Sequence, residues 1–260
     1  MANLISFKSN NIVANGFNNV LRYEFPGSSI NFTNTEVAVH SIQMINSQFN
    51  IDSTAFGNNT FSIIVPTAAT TSTITVTLND GYYSYADVNR IIQAELVSAG
   101  AYLVDASGNN VYYVQITENS VYYAAQIDLA SVPTALPSGY TRPSTGLYSS
   151  GGSGLPATAY TPQLVINNAE FGKIIGFSAG TYPNAPTTTA QSLLSDITPE
   201  AIPGTTISEL IDYKPNEYLW MPVSDGTYAS VQLIIVDQDE RFCRLNDTNI
   251  LISLAIRKRS

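Results

Sequence analysis

The sequence is poor in the two side chains on which most enzyme and metal chemistry depends. Its 260 residues include one histidine, His40, and one cysteine, Cys243. General acid–base catalysis, nucleophilic catalysis and zinc binding draw mainly on these residue types. A single cysteine also excludes an internal disulfide, so the fold does not depend on an oxidising compartment. The sequence therefore predicts a protein that is not an enzyme and that holds no metal or cofactor.

Charge is also scarce. Charged residues make up 12% of the chain, which is about half the usual share, and the net charge is −9. This acidic balance argues against sequence-independent binding of nucleic acid, which needs Lys and Arg to neutralise phosphates. We also expect no sequence-specific nucleic-acid partner. A low-charge surface suits a protein that meets protein neighbours over much of its area, or one that binds glycans.

The one basic cluster, Arg257, Lys258 and Arg259, stands at the C-terminal end of the sequence. It is interpreted as a solvated, frayed terminus. The alternative is a short tail that touches an acidic neighbour, a lipid headgroup or packaged genome.

Long apolar runs are missing. Residues 1–8 show no apolar signal-peptide region, and no run of the chain approaches the length of a membrane span. The expectation is a protein made and folded in the cytosol, without a membrane span.

Alternation of apolar and polar side chains dominates what is present. Such alternation predicts strands with one buried and one solvated face. The segments that show it, or read as a long β-candidate, are residues 37–45, 61–65, 73–78 and 250–256. Residues 231–236 are apolar on both faces and predict a central strand, whereas residues 111–117 and 121–129 predict a hairpin.

Two helices interrupt this pattern. Ser84 is a plausible N-cap with Asp87 three residues on, and Gly100 supplies a stop after an apolar helical face. A second short helix is predicted over residues 170–175, ended by Gly176. Many strands with one or two short helices predict an all-β fold, a single jelly-roll β-sandwich.

The domain prediction is one jelly-roll domain over residues 1–260. Residues 105–162 are predicted to be an elaboration inserted between core strands, consisting of the hairpin and a Pro/Gly/Ser-rich loop. Such a composition does not bury enough apolar surface to order itself, so a flexible loop is expected. A smaller irregular stretch is expected over residues 182–206.

Tyrosine is abundant, with 16 residues. Where two tyrosines are adjacent in a strand, one can be buried and the other exposed. The adjacent pairs are Tyr82-Tyr83, Tyr112-Tyr113 and Tyr122-Tyr123. Exposed tyrosines are good interface anchors and sugar-stacking platforms. Tyr140, Tyr148 and Tyr160 in the insertion are therefore candidates for contact with a glycan or partner, which would make the protein a carbohydrate- or receptor-binding sandwich.

Carboxylates leave one enzymatic alternative. A glycosidase on a sandwich fold would need two carboxylates facing each other across a cleft. The candidates are Glu36, Glu118, Glu170, Glu209 and Glu217.

The remaining polar features have plain interpretations. Residues 237–240 are acidic but lack the glycine of a calcium-binding loop, so a polar turn is predicted. His40 is predicted to be a hydrogen-bonded structural histidine and Cys243 a small buried residue.

Several short segments follow one another in a characteristic order. They are Val39-His40-Ser41-Ile42-Gln43-Met44-Ile45-Asn46-Ser47-Gln48-Phe49-Asn50-Ile51, Gly57-Asn58-Asn59-Thr60-Phe61-Ser62, Asp80-Gly81-Tyr82-Tyr83, residues 171–183, the Asp237-Gln238 turn and residues 247–256. Together they resemble the vertex (penton) proteins of virophages and polinton-like viruses of the double-jelly-roll lineage. The resemblance covers most of residues 18–256 outside residues 105–162.

This resemblance implies a structural virion protein. Pentons of that lineage are single jelly rolls, five copies of which close each icosahedral vertex. The implied partners are further copies of the chain, the major capsid protein and other minor capsid proteins, and the implied location is the capsid vertex after synthesis in the host cytoplasm. We expect the cyclic interface at strand edges and at loops on the sandwich ends. Minor capsid or cement subunits of the lineage share such elements and remain an alternative.

Overall fold

The computed structural model describes residues 3–122, 124–196, 209–237 and 239–259. Within these ranges the chain forms two α-helices, α1 (Tyr85–Ala99) and α2 (Ala169–Ile175), and otherwise mostly strands. In chain order the strands are β1 Asn3–Phe7, β2 Val20–Glu24, β3 Ile30–Phe32, β4 Thr35–Ile45, β5 Thr60–Pro66, β6 Thr71–Thr77, β7 Leu103–Val104, β8 Asn110–Val111, β9 Val114–Asn119, β10 Ala124–Leu129, β11 Gln163–Ile166, β12 Gly180–Tyr182, β13 Gln191–Leu194, β14 Leu210–Tyr213, β15 Met221–Val223, β16 Gly226–Tyr228, β17 Ser230–Ile234 and β18 Ile250–Lys258. The predicted all-β class with two short helices is confirmed.

The chain divides into two compact units. The first unit comprises Met1–Phe49 and Ile202–Ser260, and the second unit comprises Asn50–Ala201. Residues 105–162 belong to the second unit. The single jelly-roll domain over residues 1–260, with residues 105–162 as its elaboration, stays a prediction.

The first unit contains a five-stranded antiparallel sheet. Its order is β1-β18-β4-β14, and β15 pairs with β4 further along the same side as β14. Strands β2 and β17 form a separate two-stranded ribbon. The prediction of a central strand over residues 231–236 is wrong, because β17 pairs only with β2 among the described strands. Ile234 and Val236 are about two-fifths exposed, at 43% and 41%.

A β-bulge interrupts the long strand β4 at His40. Ser253 of β18 pairs with Ser41, but the next residue, Leu254, pairs with Val39, so His40 is the extra residue on β4. A bulge moves later side chains to the opposite face of the strand. As a result, Ile42 and Val39 sit opposite the two β18 side chains, Ile252 and Leu254, that pack toward the core.

The core of the first unit is small. In the part of this unit that the structure describes, seven buried side chains form it, and burial raises the pKa of the Cys243 thiol to about 11. The core residues are Ile5, Phe7, Leu21, Cys243, Leu245, Ile250 and Ile252. The prediction that Cys243 is a small buried residue is confirmed, and its raised pKa keeps the thiol protonated near neutral pH.

The second unit contains a larger core between sheets and helices. One sheet has the order β12-β11-β5-β6 and another the order β13-β10-β9, and α1 packs against β6 and β9. Strands β9 and β10 form the predicted hairpin, although its turn begins after Asn119 and Tyr123 lies outside the described residues. The rings of Phe61 and Phe171 stack in this core with centroids 4.7 Å apart.

Both helices carry the predicted end signals. The Asp87 N–H donates to Ser84 Oγ, and the Ser84 hydroxyl and N–H donate in return to Asp87 Oδ2, the hydroxyl at 2.6 Å. These hydrogen bonds lower the pKa of the Asp87 carboxyl. Gly100 and Gly176 end α1 and α2 in the left-handed conformation, with φ of 64° and 79°. The prediction of both helices is confirmed.

The expected flexible loop within residues 105–162 is instead packed. The Tyr148 side chain is fully buried, and its hydroxyl donates to the Pro66 carbonyl at 3.0 Å. The glycines of this segment permit close backbone contact: a β-carbon on Gly146 would lie 2.4 Å from the Ala99 carbonyl oxygen, at the end of α1. The expectation failed because it considered the segment alone, whereas α1 and the core supply the surface on which it packs.

Candidate interaction surface

Five side chains on the outer side of the five-stranded sheet stack into what we call the aromatic ladder. Its members are His40, Tyr218, Trp220, Arg257 and Glu36. His40 Nδ1 and the Tyr218 hydroxyl are 2.7 Å apart, and the two rings stack at 5.9 Å. The Tyr218 and Trp220 rings are 5.5 Å apart, and the Arg257 guanidinium carbon lies 4.0 Å from the Trp220 ring centre. The Arg257 Nε–H donates to Glu36 Oε1 at 2.5 Å, so the ladder ends in an ion pair.

Strand pairing explains why these residues meet. Arg257 and Glu36 are direct neighbours across β18 and β4, and Trp220 immediately precedes β15, which pairs with the same end of β4. The bulge leaves His40 out of the β18 register, where it contacts Tyr218. The prediction of a hydrogen-bonded His40 is confirmed. Each ring contact and the cation–π contact contribute about 0.5–1 kcal/mol at an exposed site.

The segment that contributes Tyr218 and Trp220 to the ladder also exposes apolar side chains. We call residues 210–221, which comprise β14, β15's first residue and their connection, the β14–β15 edge. Leu219 is 80% exposed, and Leu210, Tyr213 and Met221 are at least half exposed. Among the described strands, β14 and β15 pair only with β4, so their outer backbone groups form a free sheet edge. Tyr, Trp and Arg at such an edge are typical of interface hot spots.

Sequence reasoning missed the β14–β15 edge. The run Tyr218-Leu219-Trp220-Met221 contains the only tryptophan of the chain and follows a polar turn. Four consecutive large apolar side chains at the edge of a sheet cannot all face one core, and this is the signal that would have identified the site.

Exposed apolar side chains concentrate in the first unit. Eleven of the large hydrophobic side chains exposed among the described residues belong to it, and only six to the larger second unit. Those of the first unit are Leu4, Val13, Ile30, Leu210, Tyr213, Tyr218, Leu219, Met221, Ile234, Val236 and Phe242, and those of the second are Val97, Val121, Tyr122, Leu136, Tyr160 and Leu194. Apolar surface at this density is typical of a protein that associates.

Arg257 and Lys258 of the basic cluster belong to β18 and Arg259 follows it directly, so the cluster is not a frayed tail. Arg257 and Lys258 are paired with Glu36 and Thr35 in the sheet register, and the Lys258 ammonium donates to the Thr33 carbonyl at 2.5 Å. The Arg259 N–H donates to the Asn34 carbonyl. The frayed-terminus interpretation is therefore wrong, because strand pairing holds the backbone of the cluster. Contact of Arg257, Lys258 and Arg259 with an external partner stays a prediction.

The three candidate tyrosines of the insertion differ in how far their side chains are buried. Tyr148 is buried, which raises the pKa of its phenol, so it is not available as an exposed platform. Tyr140 is half-buried against the core of the second unit, and Tyr160 is 39% exposed. Of the adjacent pairs, Tyr113 is buried beside a half-buried Tyr112, whereas Tyr82 and Tyr83 are both half-buried outside any strand.

Tyr160 lines a cleft of about 320 Å³ in the second unit. The cleft lies beside the turn between β5 and β6 and is lined mainly by proline, threonine and alanine. Its lining residues are Ile64, Pro66, Thr67, Ala68, Ala69, Thr70, Thr71, Pro156, Ala157, Thr158, Tyr160, Thr161, Gln163 and Pro186.

The candidate carboxylates lie on different elements. Glu36 pairs with Arg257, and Glu170 pairs with Lys173 at 3.0 Å on α2. Glu118 is on β9, whereas Glu209 and Glu217 flank β14. The structure thus does not bring the five residues together into one site.

Residues 237–240 form the predicted turn, although Gln238 lies outside the described residues. Asp237 Oδ1 accepts from the N–H groups of Asp239 and Arg241, and Asp237 Oδ2 accepts from the Arg241 guanidinium at 2.7 Å. Neither here nor elsewhere in the described ranges do three His, Cys, Asp or Glu side chains come together as metal ligands. The helices of these ranges are too short and too polar to cross a bilayer.

These elements define an antiparallel all-β protein with an exposed aromatic sheet edge. No protein-family model matches the chain, and no curated protein does. Among solved structures, the chain is similar to the mavirus penton protein, known from a selenomethionine-labelled crystal form. The TM-score is 0.41 at 10% sequence identity, over 98% of this chain and 97% of that chain.

Proposed function

We propose that the protein is a structural virion protein that closes the five-fold vertices of an icosahedral capsid as a homopentamer. The observation that carries the proposal is the β14–β15 edge, where Leu219 and its neighbours expose apolar side chains beside strand backbone that has no outer partner among the described strands. A free apolar edge promotes association with another chain.

The form of the sheet supports a ring. A ring of identical subunits requires two different patches on each subunit, one of which meets the other on the neighbour. The five-stranded sheet has two different edges, β1 on one side and β14 with β15 on the other. Leu4 on β1 is 55% exposed, so each edge offers an apolar side chain.

Composition and sequence resemblance support a capsid as the setting. The charged fraction of 12% leaves a surface that is suited to dense contact with protein neighbours. The segments that resemble penton proteins include residues 39–45 of β4, the strand with which β14 and β15 pair. The proposed partners are other copies of the chain, the major capsid protein and minor capsid proteins, at the vertex of the virion.

Native mass spectrometry of the full chain over a range of concentrations tests the proposal. A discrete pentamer is expected. Leu219→Asp places a charge in the proposed contact, and we expect it to raise the dissociation constant at least thirty-fold, which corresponds to about 2 kcal/mol.

The matched control is Val121→Asp. Val121 is 78% exposed, close to the 80% of Leu219, but it lies at the β9–β10 turn of the second unit. The pentamer should survive this change. A chain that stays monomeric at every concentration, or a pentamer that Leu219→Asp leaves intact, would contradict the proposed interface.

A further inference from the structure

The cleft around Tyr160 is held rigidly in place. The Tyr160 carbonyl accepts from the Val132 N–H at 2.9 Å, and the Thr161 N–H donates to the Thr187 carbonyl at 2.8 Å. Opposite them, the Thr67 N–H donates to the Thr70 carbonyl across the turn between β5 and β6. Both walls are therefore fixed by backbone hydrogen bonds, so a ligand would find the cleft already formed.

Polar groups with unused hydrogen-bonding capacity line the cleft. Gln163 is only 8% exposed, and its amide nitrogen donates to the Pro183 carbonyl at 2.9 Å. That bond fixes the orientation of the amide, and its carbonyl oxygen has no donor among the described residues. The hydroxyls of Tyr160, Thr71 and Thr158 likewise make no hydrogen bond within the described part of the chain. The cleft thus offers one fixed acceptor and three hydroxyls.

The lining determines the charge of a suitable ligand. Among the described residues that line the cleft, none is charged. An ionic ligand would lose its hydration without gaining an opposite charge, which is costly. A neutral ligand that carries several hydroxyl groups would instead match the hydroxyl and amide groups of the walls.

Tyr160, the one aromatic residue among the described lining residues, indicates which class of neutral ligand the cleft favours. The Tyr160 side chain is 39% exposed at the cleft, and prolines 66, 156 and 186 complete an apolar lining. A sugar ring combines an apolar face, which can stack on tyrosine, with hydroxyls at its rim. A proline-rich peptide would require a groove with several aromatic side chains, and only one is present.

We propose that this cleft in the second unit binds a neutral saccharide, with the ring stacked on Tyr160 and its hydroxyl groups bonded to Gln163 and the threonines. The volume of about 320 Å³ lies at the lower end of the roughly 300–1,000 Å³ that ligand clefts occupy, so a short glycan segment is the expected ligand. The cleft belongs to the second unit and the β14–β15 edge to the first, so this inference does not rest on the proposed function.

The test uses the full-length protein on an array of neutral glycans, with sialylated and sulfated glycans as the charged comparison. The best neutral glycan is then titrated by saturation-transfer NMR. Tyr160→Ala should weaken binding at least ten-fold, whereas Tyr160→Phe keeps the ring and should stay within a few-fold of the parent. Thr158→Trp should block the cleft without disturbing the fold, because Thr158 is exposed.

Tyr122→Ala is the matched control, since Tyr122 is 67% exposed on the β9–β10 turn, away from the cleft lining. It should leave glycan binding unchanged. Native mass spectrometry of each variant reports assembly separately, so loss of glycan binding is not confused with loss of the pentamer. The site is overturned if no neutral glycan binds or if charged glycans bind equally well. Binding that survives both Tyr160→Ala and Thr158→Trp would overturn it too, as would a proline-rich peptide being the only ligand.

Discussion

The two units of the chain differ in where their apolar side chains lie. Among the described residues, the second unit buries 26 hydrophobic residues in one core, whereas the core of the first unit has seven. The exposed large hydrophobic side chains of the described ranges show the reverse distribution, with eleven in the first unit and six in the second. The second unit can therefore be stable through its own packing, and the first unit has more to gain from a partner.

The helices account for much of this difference. Both α1 and α2 belong to the second unit, and α1 covers β6 and β9. The described part of the first unit contains strands but no α-helix, so its sheet edge is not covered in this way. In the proposed pentamer, a neighbouring subunit would cover this edge.

The largest effect is expected from breaking the core of the second unit. Phe61 and Phe171 are both fully buried and stacked, so Phe61→Ala should lower the free energy of unfolding by about 3–5 kcal/mol. Urea denaturation at fixed protein concentration measures this change. Leu4→Ala on the exposed edge of the first unit should cost less than about 1 kcal/mol when the chain is monomeric. Equal costs would remove the proposed contrast between the units.

A smaller effect is expected from the backbone contact between α1 and the packed insertion. Gly146 has φ of +91°, and a β-carbon there would lie 2.4 Å from the Ala99 carbonyl oxygen. Gly146→Ala should therefore cost at least about 1–3 kcal/mol in thermal or urea unfolding. Gly151→Ala is the control, because nothing lies within 4 Å of its β-carbon position. If both variants unfold like the parent, the insertion is not anchored at α1.

The N-cap of α1 should contribute about 1 kcal/mol. Ser84→Ala removes the hydrogen bonds between its hydroxyl and Asp87, which hold the pKa of that carboxyl below 3.8. A lowered pKa in the folded state stabilises the fold above pH 3.8, and this contribution disappears as the pH falls through the folded value.

Urea midpoints at pH 7 and pH 3 measure this dependence. The difference between the parent and the Ser84→Ala variant should be larger at pH 7. NMR titration should show the pKa of Asp87 rising toward its ordinary value in the variant. A difference that grows at pH 3 would contradict the role of the Asp87 carboxylate.

The smallest effect is expected within the aromatic ladder. A double-mutant cycle of Trp220→Ala and Arg257→Ala, measured on monomeric protein, should give a coupling energy of about 0.5–1 kcal/mol, since the Arg257 side chain of this cation–π contact is 42% exposed to solvent. In the pentamer, each single change should cost more, because assembly would remove water from the ladder. Costs that are the same in monomer and pentamer would place the ladder outside the interface.

Local signals in the sequence predicted local structure well. Both helices are marked by residues within one turn of their ends, Ser84 and Gly100 for α1, and these signals act wherever the helix packs. Residues 231–236 gave a wrong prediction because burial of a second strand face depends on which strands come to lie over it. That information is spread over the whole chain.

The candidate site was harder to predict for the same reason. His40, Trp220 and Arg257 are far apart in sequence and meet only through the pairing of β4 with β15 and β18. Tyr160 was predicted as an exposed tyrosine, but the cleft beside it could not be predicted, because part of its wall comes from the turn between β5 and β6. Tyr148 looks similar to Tyr160 in sequence, and only the packing of the insertion separates them.

The bulge at His40 gives β4 one residue that has no partner on β18. If that residue were deleted, Ser41 would still face Ser253 and Val39 would still face Leu254, so the ladder would become continuous and Glu36 would keep its place opposite Arg257. The ring that stacks on Tyr218 would be lost, and so would the local bend and extra twist that a bulge gives a strand. The bulge therefore shapes β4 and adds a side chain to the aromatic ladder, while it leaves the strand pairs as they are.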